Sequence, residues 1–304
     1  MDRQKVLAIV GPTGIGKTSL SVWLAKQLDG EIISCDSMQV YKKMDIGTAK
    51  VTQEEMQGIH HELIDVQNYN EPYNVKVFQE KCRTAIEDVV KRGKFPILCG
   101  GTGLYLKAAL YDYEFQEENE DIAYTAFLNS KTNEELVAML KEKDEKALEK
   151  IHPNNRKRLI RALQICHSGT SKSEQEDKQQ HIPLYDVYFL GLDVNREILH
   201  DRINKRVDIM FENGLVKEVE DLFTNPETWE YTSFQGIGYK EFKDYFLKEK
   251  SIEEVKTAIK THSRQYAKRQ YTWFKNQMPV HWFEAQNRDE IYSAVKEWLM
   301  DEDK

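Results

Sequence analysis

No two cysteines stand in a C-x-x-C pair; Cys35, Cys82, Cys99 and Cys166 are scattered through the 304 residues. Neither a zinc site nor a disulfide framework is indicated, and a reducing compartment suits the chain. Long apolar runs are missing too: none approaches the roughly 18 residues of a membrane-spanning helix, and the apolar start at residues 6–10 is too short for a secretory signal. The expectation is a cytoplasmic protein that makes no membrane contact. An excess of positive charge is also lacking. The 43 basic and 51 acidic side chains leave a net charge of -8, which argues against sequence-blind coating of DNA or of an anionic membrane.

What is present is a globular composition, 40% apolar and 31% charged. The length exceeds an average domain of about 100–200 residues, so one domain carrying an insertion is expected. Charge marks the insertion. Residues 112–150 hold twelve acids against five lysines, opening with the polar run 114–121 and continuing with helical spacing through Leu136, Met139, Leu140 and Leu148. Polarity then reverses: residues 151–172 carry Arg156, Lys157, Arg158, Arg161 and Lys172 with no acid. The polar segment 168–180 reads as a return loop, after which residues 184–194 read as a buried strand and Asn195 caps a helix running toward Gly214. The core is thus placed at 1–113 and 185–304, and a helical insertion at 114–184.

A second basic patch lies at residues 256–275. At about 100° per residue, Lys256, Lys260, Arg264, Lys268 and Lys275 fall on one helical stripe, with Ile252, Val255, Ile259, Tyr266 and Trp273 on the other side. A solvated face is one reading. Contact with an anionic polymer is favoured, because the acids elsewhere leave the basic patches as the attractive surfaces.

The front of the chain carries the sharpest signal. The β-prone run 6–10 is followed by Gly11-Pro12-Thr13-Gly14-Ile15-Gly16-Lys17-Thr18 and then a helical stretch, 19–28. Strand, phosphate loop and helix in that order predict an α/β fold: a P-loop NTPase-like parallel sheet flanked by helices. The glycines let backbone amides approach phosphate oxygens, Lys17 supplies a mobile cation for a terminal phosphate, and the Thr18 hydroxyl suits Mg²⁺. The place of a second acidic strand is contested. Residues 95–99 end in Gly100-Gly101-Thr102-Gly103, whereas residues 31–35 end in Asp36. In doubly wound sheets ligands gather at the carboxyl ends of strands, which places Asp36 in the crevice of the loop as a magnesium ligand, a general base or the cap of a turn. Ser37, Gln39 and Tyr41 follow and suit a base pocket; the Gln39 amide matches the adenine edge, or serves as a loop hydrogen bond.

Further blocks, Asp36-Ser37-Met38-Gln39-Val40-Tyr41-Lys42, Asp45-Ile46-Gly47-Thr48-Ala49-Lys50, Gly100-Gly101-Thr102-Gly103-Leu104-Tyr105, Ile151-His152-Pro153-Asn154, Gly236-Ile237-Gly238-Tyr239 and Arg264-Gln265-Tyr266-Ala267-Lys268-Arg269-Gln270, follow in one collinear order. With the phosphate loop they make the sequence resemble the bacterial tRNA dimethylallyltransferases, or tRNA isopentenyltransferases, over nearly its whole length. The resemblance implies transfer of a dimethylallyl group from dimethylallyl diphosphate to N6 of the adenine 3′-adjacent to the anticodon, with diphosphate held by residues 11–18. It implies that Lys17, Mg²⁺ and Arg206 neutralise the departing diphosphate, that Asp36 accepts the N6 proton and that Thr13 sits beside the reacting centre. For tRNA it implies contacts from Asp36, Ser37, Met38, Gln39 and Thr102, from Lys157, Arg158, Leu159, Ile160 and Arg161, from Gly236, Ile237, Gly238, Tyr239 and Lys240, and from Arg264, Lys268 and their neighbours up to Tyr271. The insertion corresponds to the family's helical subdomain over the anticodon stem-loop, and a monomer is expected. Asn155 stands where the family usually has aspartate, and Ser263 where it has threonine. No Cys/His finger follows the core, so the zinc module of eukaryotic relatives is not expected. The rival reading is a P-loop small-molecule kinase with Asp36 activating an acceptor hydroxyl; an extended basic stripe serves no purpose there. A non-catalytic RNA-binding module would leave Lys17, Thr18 and Asp36 without a purpose.

Overall fold

The computed structural model describes residues 3–115, 121–169, 171–174 and 181–301. The chain forms two compact units, Met1–Tyr111 with Pro183–Lys304, and Asp112–Ile182. The acidic run 114–121 and the segment 168–180 lie largely outside the described residues.

The first unit is built on six strands: β1 Lys5–Val10, β2 Gly30–Ser34, β3 His61–Glu62, β4 Phe95–Gly100, β5 Asp186–Asp193 and β6 His281–Glu284. They lie in the order β3-β2-β4-β1-β5-β6, with every pairing parallel. Residues 6–10 of β1 are wholly buried, as a central parallel strand covered on both faces must be. Because side chains alternate, Val6, Ala8 and Val10 point into one core and Leu7 and Ile9 into another.

In chain order the helices are α1 Lys17–Leu28, α2 Gln53–Met56, α3 Val75–Lys91, α4 Gly103–Leu110, α5 Ile122–Asn129, α6 Asn133–Asp144, α7 Arg156–His167, α8 Arg196–Glu212, α9 Leu215–Leu222, α10 Lys243–Phe246, α11 Ile252–Gln277 and α12 Arg288–Met300. α1 and α12 cover the Leu7 face, through Leu20, Leu24, Ile291 and Val295. α3, α4, α8, α9 and α11 cover the other, through Phe78, Ile86, Leu106, Val207, Val219 and Ile259. This is a P-loop NTPase-like α/β sheet. Its parallel strands bring residue 11 after β1, residue 36 after β2 and residue 101 after β4 to one edge.

α11 is one helix of 26 residues, started by a Ser251/Glu254 capping box. Its inward residues Val255, Ile259, Ala267, Gln270 and Phe274 recur at helical spacing. α8 is capped by Asn195, which accepts from the Glu197 amide.

The second unit carries α5, α6 and α7 around its own core of Leu128, Leu136, Leu140, Ile151, Leu159 and Leu163. The helical spacing expected through Leu136, Met139, Leu140 and Leu148 breaks at Asp144, whose carboxylate caps a tighter turn, Glu145–Glu149, through the Ala147 amide. Among the described residues no helix is long and apolar enough to cross a membrane.

Candidate active site

The phosphate loop is set by backbone conformation. Gly11, Gly14 and Gly16 all have positive φ, at 142°, 79° and 106°. α1 starts on Gly16, which has no side chain to cap the first-turn amides and leaves them for an anion. Lys17 Nζ folds back onto the carbonyls of Gly11 and Pro12 at 2.9 and 2.8 Å.

Three further elements fix the loop. Gln270 of α11 is buried and bridges two backbones: its Oε1 accepts from the Thr13 amide at 2.9 Å, and its Nε2 donates to the Gly101 carbonyl at 2.9 Å. Arg206 of α8 donates through Nη1 to Thr13 Oγ1 at 3.1 Å and through Nη2 to the Thr48 carbonyl at 3.3 Å. Asp36 follows β2, and its Oδ1 accepts the amides of Met38 at 2.8 Å and Gln39 at 3.3 Å, so the capping bond and a place in the cleft coexist. Tyr266, whose phenol is pushed above its ordinary value by burial, lines the same cleft.

The resulting cleft has a volume of about 590 Å³. Thr13, Lys17, Thr18, Asp36, Arg206 and Gln270 line it, with Ile46, Val51, Ile209 and Met210 as its apolar part. Burial pushes the Lys17 ammonium down to about 8 against the opposing pull of Cys99 and Asp36, with Arg206 adding to the fall. Burial also lowers Arg206, which Asp36 and Glu55 counter. The Cys99 thiol is raised by burial, although Lys17 and Ser21 act the other way. Among the described residues one group has metal-ligand spacing, Glu31, His60 and Glu62. It does not line this cleft, and Arg92 already pairs with Glu31 at 2.6 Å and Glu62 at 2.8 Å.

Of the candidates read from the sequence, Thr13, Gly14, Gly16, Lys17, Thr18, Asp36, Gln39 and Arg206 meet around this cleft. Gly11, Pro12 and Ile15 are buried at the base of the loop. Gln39 spends its amide N–H on the Ala49 carbonyl at 3.1 Å, which is the loop-bond alternative. Tyr41 does not join a base pocket: it is wholly buried, edge-on to Tyr73. Ser37 and Met38 are half-buried and do not line the cleft. Thr102 occupies the N-cap position of α4. Gly236 and Ile237 are half-buried, Gly238 and Tyr239 are buried, and Lys240 is exposed. On α7, Lys157, Arg158 and Arg161 are exposed, Ile160 is half-buried, and Leu159 belongs to the core of its unit. Arg156 ties α7 to the Leu128 and Asn129 carbonyls rather than adding to a basic face.

The stripe on α11 needs correction. Lys256 and Lys260 both pair with Asp208 of α8, at 2.7 and 2.6 Å, and Arg264 bonds Asn204 of the same helix. Three of the five cations therefore hold two helices together. Lys268 is exposed, and Lys275 lies over the Tyr271 ring at 4.4 Å. Gln270 lies within residues 264–271, for which the resemblance implies tRNA contact, but its bridge between the Thr13 amide and the Gly101 carbonyl has no signal in the sequence. Glu218, which accepts the Asp45, Ile46 and Gly47 amides, carried no signal, because a glutamate on an amphipathic helix reads as a solvated side chain.

The parallel sheet and its glycine loop define the class: an α/β P-loop protein. The chain belongs to the IPP transferase family, whose model matches residues 39–277. It is similar to the tRNA dimethylallyltransferase of Bacillus anthracis, at 50% identity over 97% of this chain and 96% of that one. The enzyme of the same name from Bacillus cereus (strain ATCC 10987 / NRS 248) is 49% identical over 97% and 95%. Among solved structures it is similar to the tRNA isopentenylpyrophosphate transferase of Bacillus halodurans, with a TM-score of 0.75 and 42% identity over 98% of this chain and 97% of that one. A eukaryotic dimethylallyltransferase acting on tRNA gives a TM-score of 0.82 at 32% identity, over 98% of this chain and 78% of the other.

Proposed function

We propose that the chain transfers a dimethylallyl group from dimethylallyl diphosphate to N6 of the adenine 3′-adjacent to the anticodon of tRNA, releasing diphosphate. The observation that carries this reading is the convergence of the phosphate loop, Asp36 and the Arg206–Thr13 pair in one cleft, in a member of the IPP transferase family. An exocyclic amine delocalised into its ring is a weak nucleophile, so the electrophile has to be activated through its leaving group. The loop amides and Lys17 hold the diphosphate, and Arg206 meets the charge that grows on it. As the C1–O bond breaks and the N6–C1 bond forms, the electron pair leaves with diphosphate and Asp36 takes the N6 proton. In this reading Thr13, whose hydroxyl accepts from Arg206, stands beside the reacting carbon.

Mg²⁺ fits the donor at hand, since the Thr18 hydroxyl that lines the cleft is a hard oxygen ligand of the kind it takes. Thr18 would hold it, and when bound it supplies further neutralisation of the diphosphate. The adenine reaches the cleft by leaving the anticodon-loop stack. The inserted unit, taken as 112–182, contacts the anticodon stem-loop through Lys157, Arg158 and Arg161. On α11 the contact belongs to Lys268 and not to the cations held by Asp208.

That division has a measurable consequence. Lys268→Ala lowers the slope of log affinity for tRNA against log salt by about 0.7–0.9, the loss of one phosphate contact, whereas Lys256→Ala leaves it unchanged. Filter binding across a salt series reads both, and an unchanged slope for Lys268→Ala removes that residue from the interface. The function itself is tested with labelled dimethylallyl diphosphate, Mg²⁺ and unmodified tRNA, with labelled ATP in parallel. Label passing from the allylic donor into tRNA is expected. Label passing only from ATP to a small acceptor would make the protein a kinase.

A further inference from the structure

Residues 45–47 bring three consecutive backbone amides onto one carboxylate. Glu218 of α9 accepts Asp45 N at 2.8 Å and Ile46 N at 2.7 Å on Oε2, and Gly47 N at 3.0 Å on Oε1. Converging amides of this kind form an anion-binding concavity. Here the anion is the protein's own side chain. Tyr239 donates its hydroxyl to the same Oε1 at 2.7 Å, and burial beside that carboxylate raises the phenol well above its ordinary value, so the proton stays on the tyrosine. The packing admits no slack: a Cβ on Gly47 would stand 2.6 Å from Tyr239 Cζ.

The segment held in this way reaches the reacting groups. Ile46 and Ala49 line the cleft, while Glu218 does not. The next carbonyl, that of Thr48, accepts from Arg206 Nη2, and Arg206 Nη1 donates to Thr13 Oγ1. A guanidinium is a planar fork, so fixing one nitrogen fixes the direction of the other.

We infer that Glu218 is a positioning residue for the transfer reaction: by gathering the amides of residues 45–47 it sets the Thr48 carbonyl, and through it the aim of Arg206 at the diphosphate. The inference rests on the function proposed above, in which Arg206 meets the leaving group. Glutamine at 218 keeps the volume but replaces one acceptor oxygen with an amide N–H. Either the Asp45 and Ile46 amides or the Gly47 amide then lose their partner, since backbone N–H groups only donate, whereas the Tyr239 hydroxyl can turn and accept from the new N–H.

The test measures prenyl transfer to unmodified tRNA by Glu218→Gln alone, by Arg206→Lys alone and by the double variant. Glu218→Gln alone lowers kcat about ten- to a hundredfold, the scale of a misplaced catalytic group, with the KM for tRNA little changed. In the Arg206→Lys background, where the fork is already gone, most of that loss disappears; a residue that merely supports the fold would give losses that multiply. Multiplying losses, or no loss from Glu218→Gln, overturn the inference. If Glu218→Gln does not fold, Tyr239→Phe, which removes a single donor to Glu218, takes its place, with a smaller loss that also disappears beside Arg206→Lys and with the same overturning outcomes. The parent chain keeps the two readings apart. Without prenyl transfer by the parent, the proposed function fails and takes this inference with it; with parental transfer and multiplying losses, only the inference fails.

Discussion

Asp36→Asn transfers the dimethylallyl group about 10²–10⁴ times more slowly than the parent chain, the loss associated with a positioned general base, while its affinity for unmodified tRNA stays close to the parental value. Asparagine is the informative replacement because of what Asp36 does for its own loop. Its Oδ1 accepts the Met38 and Gln39 amides, and an asparagine oxygen keeps both bonds. Alanine would lose the base and the turn together. What asparagine removes is the negative charge beside Lys17 and Arg206 and the ability to take a proton from N6. A single-turnover assay with labelled dimethylallyl diphosphate isolates the chemical step, and a parallel binding titration shows whether tRNA still docks. Undiminished single-turnover transfer removes Asp36 as the base and leaves it the cap of a turn.

The parts of the site legible in the sequence are those fixed by local backbone chemistry. A glycine loop between an apolar run and a helix has few conformations open to it, so residues 11–18 and their cradle followed from spacing. Asp36 could be placed beside them because parallel strands deliver their carboxyl ends to one edge, whichever neighbours they take. Side-chain direction across elements was not legible. Periodicity put Lys256 and Lys260 on a polar stripe of α11, and they are indeed half-exposed, but nothing in a one-dimensional pattern reports that Asp208 of α8 faces them. Tyr41 fails for a related reason. It follows Asp36 closely in sequence, yet the chain turns between them, and a ring with so much apolar area packs into the core beside Tyr73. Gln270 and Glu218 are the converse cases. Both are polar residues on amphipathic helices, and each gains its part from backbone groups more than a hundred residues away.

Affinity for the allylic diphosphate falls as pH rises through about 8, where the Lys17 ammonium of the empty loop loses its proton. The sign follows from linkage. Burial disfavours the cation in the empty cleft, whereas a bound diphosphate favours it, so binding at pH 8 draws about half a proton from solution and Kd climbs toward roughly tenfold per pH unit above that. The ligand does not contribute this limb, because a phosphate monoester completes its last ionisation near pH 6, about two units lower. Calorimetric titration with a non-reactive analogue of dimethylallyl diphosphate, at fixed Mg²⁺ and in two buffers of different ionisation enthalpy, counts the proton directly. Lys17→Met keeps much of the side-chain length without the charge; it weakens binding about 10–100-fold at pH 7, the worth of hydrogen bonds to a charged group, and flattens the pH dependence. Asp36→Asn shifts this limb to lower pH rather than flattening it. Asp36 raises the Lys17 pKa, so without its charge the deprotonation falls below pH 8 and the weakening begins at lower pH. A Kd constant from pH 7 to about 9.5 in the parent chain, with no proton taken up, would mean that Lys17 keeps its charge in the empty loop and that its bonds to the Gly11 and Pro12 carbonyls suffice to offset burial.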